Sequence, residues 1–416
     1  MKLKPSPFAP ASFPALPAIK GVQAATASRG FYAKRGIERD DVFLFLMPEG
    51  TSVAGVFTRS HTASADVEWC REALLQGKGS GRAVVVNAGN SNAFTGVAGV
   101  QKNEATLTAM VETLGVPKEQ CFLAATGVIG EPLPDPAYVG KMLPQLNAAL
   151  GTPDWEACAR AFSTTDTYPK GAGTETEIDG VPVAITGILK GSGMIMPNMA
   201  TMLCYVFTDA AIAPDVLDEL LREVVDPTLN SVTVDGDTST SDTCMLFATG
   251  SSGAPLIEDG SDPRLDAFRE ALYDVFRNLA HQLVKDGEGA TKFVEICVEN
   301  AVTAQSAKTI GLSIANSPLV KTAIAAGDAN WGRIVMAVGK SLEPIVRDNM
   351  RIWFGDLLIA EGGLRAPGYD EAAASAHFAQ DHISIRVDVA AGDEAWTVWT
   401  CDLTHAYVDI NGAYRT

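Results

Sequence analysis

The sequence predicts a mixed α and β protein. Three observations carry this. Runs of β-branched and aromatic residues, such as Val42–Leu46 (VFLFL) and the MLCYVF run after Thr201, have the character of buried strands. Other segments space apolar residues three and four apart, as a helix with one buried face does; the clearest covers 263–285. The two kinds of segment alternate along most of the 416 residues, with no internal repeat or low-complexity block.

Composition narrows the function. Hydrophobic residues make up 47% of the chain, enough for a full core. Against 50 Asp and Glu stand 32 Lys and Arg, a net charge of -18, which would repel a phosphate backbone; no nucleic-acid partner is expected. Seven cysteines are scattered without a C-x-x-C pair, the pattern of a reducing compartment and not of a disulfide framework or zinc site. No apolar run approaches the ~18 residues of a membrane span. The first residues, MKLKPSPFAPASFPALPAIKG, are broken by prolines and predict an extended arm over the body rather than a secretory signal. A cytoplasmic enzyme or binding protein is expected, with no metal and no cofactor.

In chain order, Val42–Leu46 and Ser52–Phe57 predict two strands around a turn at Pro48-Glu49-Gly50. A helix is predicted over 65–75 and a strand over 82–87, followed by a polar loop over 88–96. The spacing of Leu107, Met110, Val111 and Leu114 predicts a helix over 103–114. A strand over 121–125 then stops at Thr126-Gly127, where a hydroxyl and a backbone N–H stand side by side. After a helix over 154–162, Asp179-Gly180 marks a hairpin between strands at 175–178 and 181–185. Beyond Thr201, a helix over 215–225 and strands over 231–235 and 244–248 precede the long helix. The acidic loop Asp235 to Asp242 lacks the closing glutamate of a calcium loop. Glu288 lies between two glycines and leads into a strand over 293–298. Small-residue helices follow over 304–339, broken at Asn316-Ser317-Pro318 and Gly327-Asp328. Strands return over 352–359, 382–389 and 396–403, the second alternating so that one face is wet.

The stretch KGSGMIMPNMATMLCYVFTD (190–209) stands out. A glycine-bearing loop passes through Thr201 directly into a buried strand. Residue types alone favour an ordinary loop-to-strand junction. A threonine there could also attack the carbonyl of Ala200, and hydrolysis of the ester would free the Thr201 α-amine. That amine, with an ordinary pKa of about 7.7–8.0, could serve as base for its own hydroxyl.

The string KGSGMIMPNMATML closely resembles the self-cleavage segment of the ornithine acetyltransferase (glutamate N-acetyltransferase) family. NAGNSNAFTG, ATGVIGEPLP, STTDTYPK, VDGDTSTSDT, DGEGATK, KTAIAAGDANWGR and YVDINGAYRT resemble the same family in the same order, as far as the last residue. Ser241 stands where the family usually has Asn, and residues 412 and 413 also depart from its pattern.

The resemblance implies an α/β (mixed α+β) layered α-β-β-α sandwich like that of N-terminal nucleophile enzymes, with a smaller C-terminal part. It implies cleavage between Ala200 and Thr201 into chains 1–200 and 201–416, associated as a heterotetramer of two of each. It implies Thr201 as nucleophile, Thr126 and Gly127 as oxyanion donors, and Thr164, Lys190, Thr201, Glu288, Asn411 and Thr416 as substrate-binding groups. The reaction implied moves acetyl from N2-acetyl-L-ornithine to L-glutamate by a ping-pong route in arginine biosynthesis. No nucleotide motif is present, and acetyl-CoA as a second donor stays open. The alternatives are an amidase or aminopeptidase of the same architecture, which gives the acyl group to water, and a binding protein in which Thr201 is structural and the chain stays uncut.

Overall fold

A computed structural model describes residues 4–33, 36, 38–196 and 202–413. Two sheets face each other. The first has the order β1 (Gln23–Ala27), β2 (Val42–Leu46), β4 (Ala83–Asn90), β5 (Cys121–Val128). The second runs β3 (Ser52–Phe57), β9 (Thr243–Ala248), β8 (Leu203–Thr208), β7 (Val181–Lys190), β6 (Lys170–Ile178).

Strict alternation explains why both are buried on both faces. In β2, Phe43 and Phe45 enter the layer between the sheets, while Val42 and Leu44 face the opposite way. β8 does the same with Leu203, Tyr205 and Phe207 inward and Cys204 and Val206 outward. The inward set is aromatic: Phe207 stacks on Phe247 at 5.2 Å between centroids, and Phe45 lies 4.7 Å from Phe207. Truncating Phe207 to Ala would cost about 3–5 kcal/mol by the cavity it leaves.

Helices cover the outer faces. Leu107 and Met110 of α2 (Gly96–Leu114) and Leu143 and Leu146 of α3 (Leu143–Ala148) close the first sheet. α5 (Pro214–Val225) and α6 (Asp266–Lys285) close the second through stripes that include Leu217, Leu221, Leu272 and Leu279. α1 (Ala65–Gln76) and α4 (Trp155–Ala161) wedge into the middle layer with Cys70 and Trp155. The result is the layered α-β-β-α sandwich.

The smaller C-terminal part is a third sheet, built from β10 (Phe293–Ala301), β11 (Arg351–Phe354), β12 (Leu357–Glu361), β13 (Leu364–Arg365), β14 (His382–Asp388) and β15 (Glu394–Cys401). It packs against α7 (Ala304–Ala315), α8 (Pro318–Ala326), α9 (Trp331–Gly339) and α10 (Glu371–Phe378). β14 buries Ile383, Ile385 and Val387 and leaves His382, Ser384 and Arg386 exposed, as its alternation requires. α11 (His405–Ala413) returns from this part to the sandwich.

Four local expectations change. The strand expected over 352–359 is two, β11 and β12, which pair antiparallel around a turn at Gly355-Asp356. β2 and β3 do not pair with each other: β2 joins β1 and β4 in the first sheet, and β3 pairs with β9 in the second. Each strand is apolar on both faces, so it is satisfied only in a separate covered sheet. Residues 231–235 form no strand beyond an isolated bridge from Val232 to Trp399, because Asp235 is taken up in a loop. The polar residues 88–90 continue β4 instead of looping. The Asp179-Gly180 hairpin is present and longer than expected, pairing Lys170 with Leu189 at its far end. The N-terminal arm lies on the body, where the Phe13 ring covers Gly171 and Ser6 donates to the Lys285 carbonyl. No helix among the described residues is long and apolar enough to cross a membrane.

Candidate active site

Parallel pairing of β4 with β5 sets Ala88 beside Thr126 and Gly89 beside Gly127 at the C-terminal end of the first sheet. A Cβ on Gly127 would lie 2.8 Å from the Asn90 nitrogen, and its φ is +131°, so only glycine fits there. β7 ends at Lys190, whose Nζ donates to Thr126 Oγ1 at 3.2 Å. That bond occupies a lone pair on Oγ1 and leaves the Thr126 O–H as a donor. Burial pushes the Lys190 ammonium down from its ordinary pKa, against the nearby Asp166 carboxylate.

Glu288 is 8% exposed, not the surface charge its glycine neighbours could permit. Its Oε2 accepts from Asn411 Nδ2 of α11 at 2.7 Å, and its N–H donates to the Ser192 carbonyl at 2.9 Å. Burial raises its carboxyl, opposed by hydrogen bonding from Asn411 and Thr165. Gly193 lies so close that an added Cβ would overlap the Glu288 carboxylate.

A cavity of about 110 Å³ is lined by Thr126, Gly127, Thr164, Lys190, Glu288 and Asn411 together with Ser91, Ser241, Asp242 and Met202. Six sequence-predicted residues from five separate segments therefore converge. Ala200, Thr201 and Thr416 lie outside the described residues. The Met202 carbonyl accepts from the Thr243 N–H at 2.8 Å, and Leu203 pairs with Lys190 on one side and Thr243 on the other.

The segments around the cavity are tied together by buried charges that no motif singled out. Lys170, fully buried, bridges Asp166 Oδ1 at 2.6 Å and Asp286 Oδ2 at 2.5 Å. Asp166 also accepts from the Gly191 N–H at 2.7 Å and the Thr164 N–H at 3.0 Å. Burial alone would raise the Asp166 carboxyl, but Lys170 and Lys190 together hold it far below its ordinary range. At Asp286 burial prevails over Lys170 and the carboxyl is raised. Further along, Asp235 accepts from the N–H groups of Met194 and Ile195 at 2.7 and 2.9 Å. The signal was present: these charges sit inside STTDTYPK, DGEGATK and VDGDTSTSDT.

This geometry, with a hydroxyl and an N–H at a strand end, an ammonium and a carboxylate across one cavity, is that of an acyl-transfer enzyme. Comparison with known proteins gives its family. A model of the ArgJ family matches residues 24–416. The arginine biosynthesis bifunctional protein ArgJ of Rhizobium meliloti (strain 1021) is 54% identical over 414 residues, 99% of each chain. Its counterpart in Brucella suis biovar 1 is 53% identical over 420 residues, the whole of each chain. A solved structure of the arginine biosynthesis bifunctional protein argJ from Bacillus halodurans is 36% identical and covers 50% of this chain and 96% of its own, with a TM-score of 0.48. The chain belongs to the ArgJ family of arginine-biosynthesis acetyltransferases.

Proposed function

We propose that this enzyme transfers acetyl from N2-acetyl-L-ornithine to L-glutamate through an acetyl ester on Thr201, after cutting itself between Ala200 and Thr201. The observation that carries the reading is the convergence of Thr126, Gly127, Thr164, Lys190, Glu288 and Asn411 on one cavity, at the point where the chain emerges from Thr201 into β8.

The charges suit the donor. N-acetylornithine carries an α-carboxylate, which Lys190 complements, and a side-chain ammonium, which Glu288 complements. Thr164, Asn411 and Thr416 complete the substrate contacts in this reading. The Thr126 hydroxyl and the Gly127 N–H receive the negative charge that develops on the acetyl oxygen. The α-amine of Thr201 takes the hydroxyl proton during attack and returns one to the leaving amine. Glutamate then enters and removes the acetyl group.

Cleavage would leave chains 1–200 and 201–416 joined by the ladder from Ile185–Thr208 to Lys190–Leu203, which crosses the cut. Two such pairs form the proposed heterotetramer, working on small molecules in the cytoplasm.

Protein mixed with N-acetylornithine and no acceptor should gain one acetyl mass on the 201–416 chain alone, and glutamate should discharge it. Parallel lines in steady-state plots should accompany this. Release of free acetate in place of N-acetylglutamate would make the enzyme an amidase. Intersecting lines with no dischargeable mass would remove Thr201 as carrier.

A further inference from the structure

Glu288 sits in the loop that follows α6 directly, so whatever fixes the end of that helix also fixes Glu288. The last carbonyls of a helix have no partner within it and take donors from elsewhere. At Lys285, the final residue of α6, the donor is the Ser6 hydroxyl at 2.6 Å. Ser6 belongs to the N-terminal arm, 279 residues away along the chain.

The same residue grips the loop a second time. Its N–H donates to Thr167 Oγ1 at 2.9 Å. That bond occupies a lone pair of the Thr167 oxygen and leaves the Thr167 hydroxyl proton to be given on. The proton goes to Asp286 Oδ1, while the Thr167 N–H donates to Asp286 Oδ2 at 2.9 Å. Ser6 thus holds both the residue before Asp286 and a residue bonded to Asp286, with Glu288 two positions further on. The Ser192 hydroxyl completes the hold by donating to the Asp286 carbonyl at 2.6 Å.

The arm makes these bonds with little burial of its own. Pro5, Pro7, Pro10 and Pro14 are exposed. Proline supplies stiffness, because it fixes its own φ and keeps the residue before it extended. Ser6, between Pro5 and Pro7, therefore has little conformational entropy left to lose on docking. The Phe8 N–H donates to Ser6 Oγ at 3.1 Å and so helps to orient the hydroxyl. The Phe8 ring stands edge-on to His382 of β14, with centroids 5.7 Å apart.

We propose that Ser6 is a positioning residue for Glu288, and that the arm thereby sets the affinity for the side-chain ammonium of the acetyl donor. The inference rests on the reading of Glu288 as the group that receives this ammonium. Ser6 acts through Lys285, Thr167 and Asp286. Without its hydroxyl the Lys285 carbonyl loses its donor, the last turn of α6 loosens, and the carboxylate is held less firmly where the ammonium would meet it. Thr126 and Gly127 are carried by β5 of the first sheet, so the chemical step should not follow.

Steady-state kinetics of the purified enzyme test this. Ser6→Ala should raise KM for N-acetylornithine about threefold to tenfold, the weight of one hydrogen bond, with kcat and the KM for glutamate within about twofold of wild type. Glutamate is the control because it brings no side-chain ammonium. Ser6→Thr keeps the hydroxyl and should behave as wild type. In a Glu288→Gln background Ser6→Ala should raise the donor KM no further, because the group it positions has already lost its charge. A donor KM within about twofold of wild type for Ser6→Ala overturns the proposal. So does an equal rise for donor and glutamate, or the same rise in the Glu288→Gln background, since a merely structural contact would give either. If Glu288→Gln alone keeps the wild-type donor KM, the reading of Glu288 fails, and Ser6 loses this role with it.

Discussion

Lys170 Nζ lies 2.5 Å from Asp286 Oδ2, joining the first residue of β6 to the loop that carries Glu288. The same ammonium holds Asp166, which in turn fixes the Thr164 and Gly191 N–H groups. One buried cation thus ties together the three segments that supply Thr164, Lys190 and Glu288.

Replacing Lys170 with Met would leave Asp166 and Asp286 buried without their cation. Breaking a buried pair in this way costs about 3–5 kcal/mol. Denaturant unfolding should show that loss, and Lys170→Met with Asp286→Asn should recover part of it. An unchanged midpoint for Lys170→Met would show that the triad contributes nothing to stability.

Gly193→Ala places a methyl on the Glu288 carboxylate. Glu288 must then move and give up its bond from Asn411, a charged hydrogen bond worth about 1.5–3 kcal/mol. The expected result is a KM for N-acetylornithine raised at least about tenfold. The measurement is steady-state kinetics on cleaved protein, and a normal KM would separate Glu288 from donor binding.

Lys190→Met and Glu288→Gln should each raise KM for the same donor, because in the proposed reading each removes one half of the charge complement to the substrate. Lys190→Met should also lower kcat, since its ammonium orients the Thr126 hydroxyl. If both variants keep wild-type KM, the two assignments are wrong.

In the proposed reading Thr126→Ala removes one oxyanion donor, and it should lower kcat by about 10²–10³ while leaving KM nearly constant. Single-turnover acetylation of the 201–416 chain gives the cleanest measure. A normal acetylation rate would remove Thr126 from the chemistry.

His281 of α6 is packed edge-on against Phe293 and Trp399, with ring centroids 5.1 and 4.8 Å away. Burial, with Lys285, Arg277 and His382 nearby, pushes its pKa down to about 4 from an ordinary 6.5. Between those values the unfolded chain binds the extra proton. The stability this group contributes is therefore complete above about 6.5 and lost as the pH falls towards 4. The melting temperature should drop across that window, and His281→Gln should make the drop smaller. An identical decline in both proteins would show that His281 plays no part.

Much was legible in the chain. Alternation and spacing are local, so most of the strands and helices, the Asp179-Gly180 hairpin and the breaks before α8 and α9 could be read from a few residues at a time. The run of family motifs likewise indicated Thr126, Gly127, Thr164, Lys190, Glu288 and Asn411 one by one, together with Thr201. What the sequence by itself determined was the family, the residues in which to look for the chemistry, and the kind of element most segments form. Only the tertiary structure decided which of them meet. β2 and β3 look like hairpin partners on the sequence, yet they belong to opposite sheets because each needs two covered faces. Glu288 looks exposed between its glycines, yet the return of α11 buries it against Asn411. Lys170, Asp166 and Asp286 stand in polar stretches that give no local sign of burial. They become a buried triad only where strand ends and loops far apart in sequence close over them, and the strength of charges in such a place depends on the water those distant segments exclude.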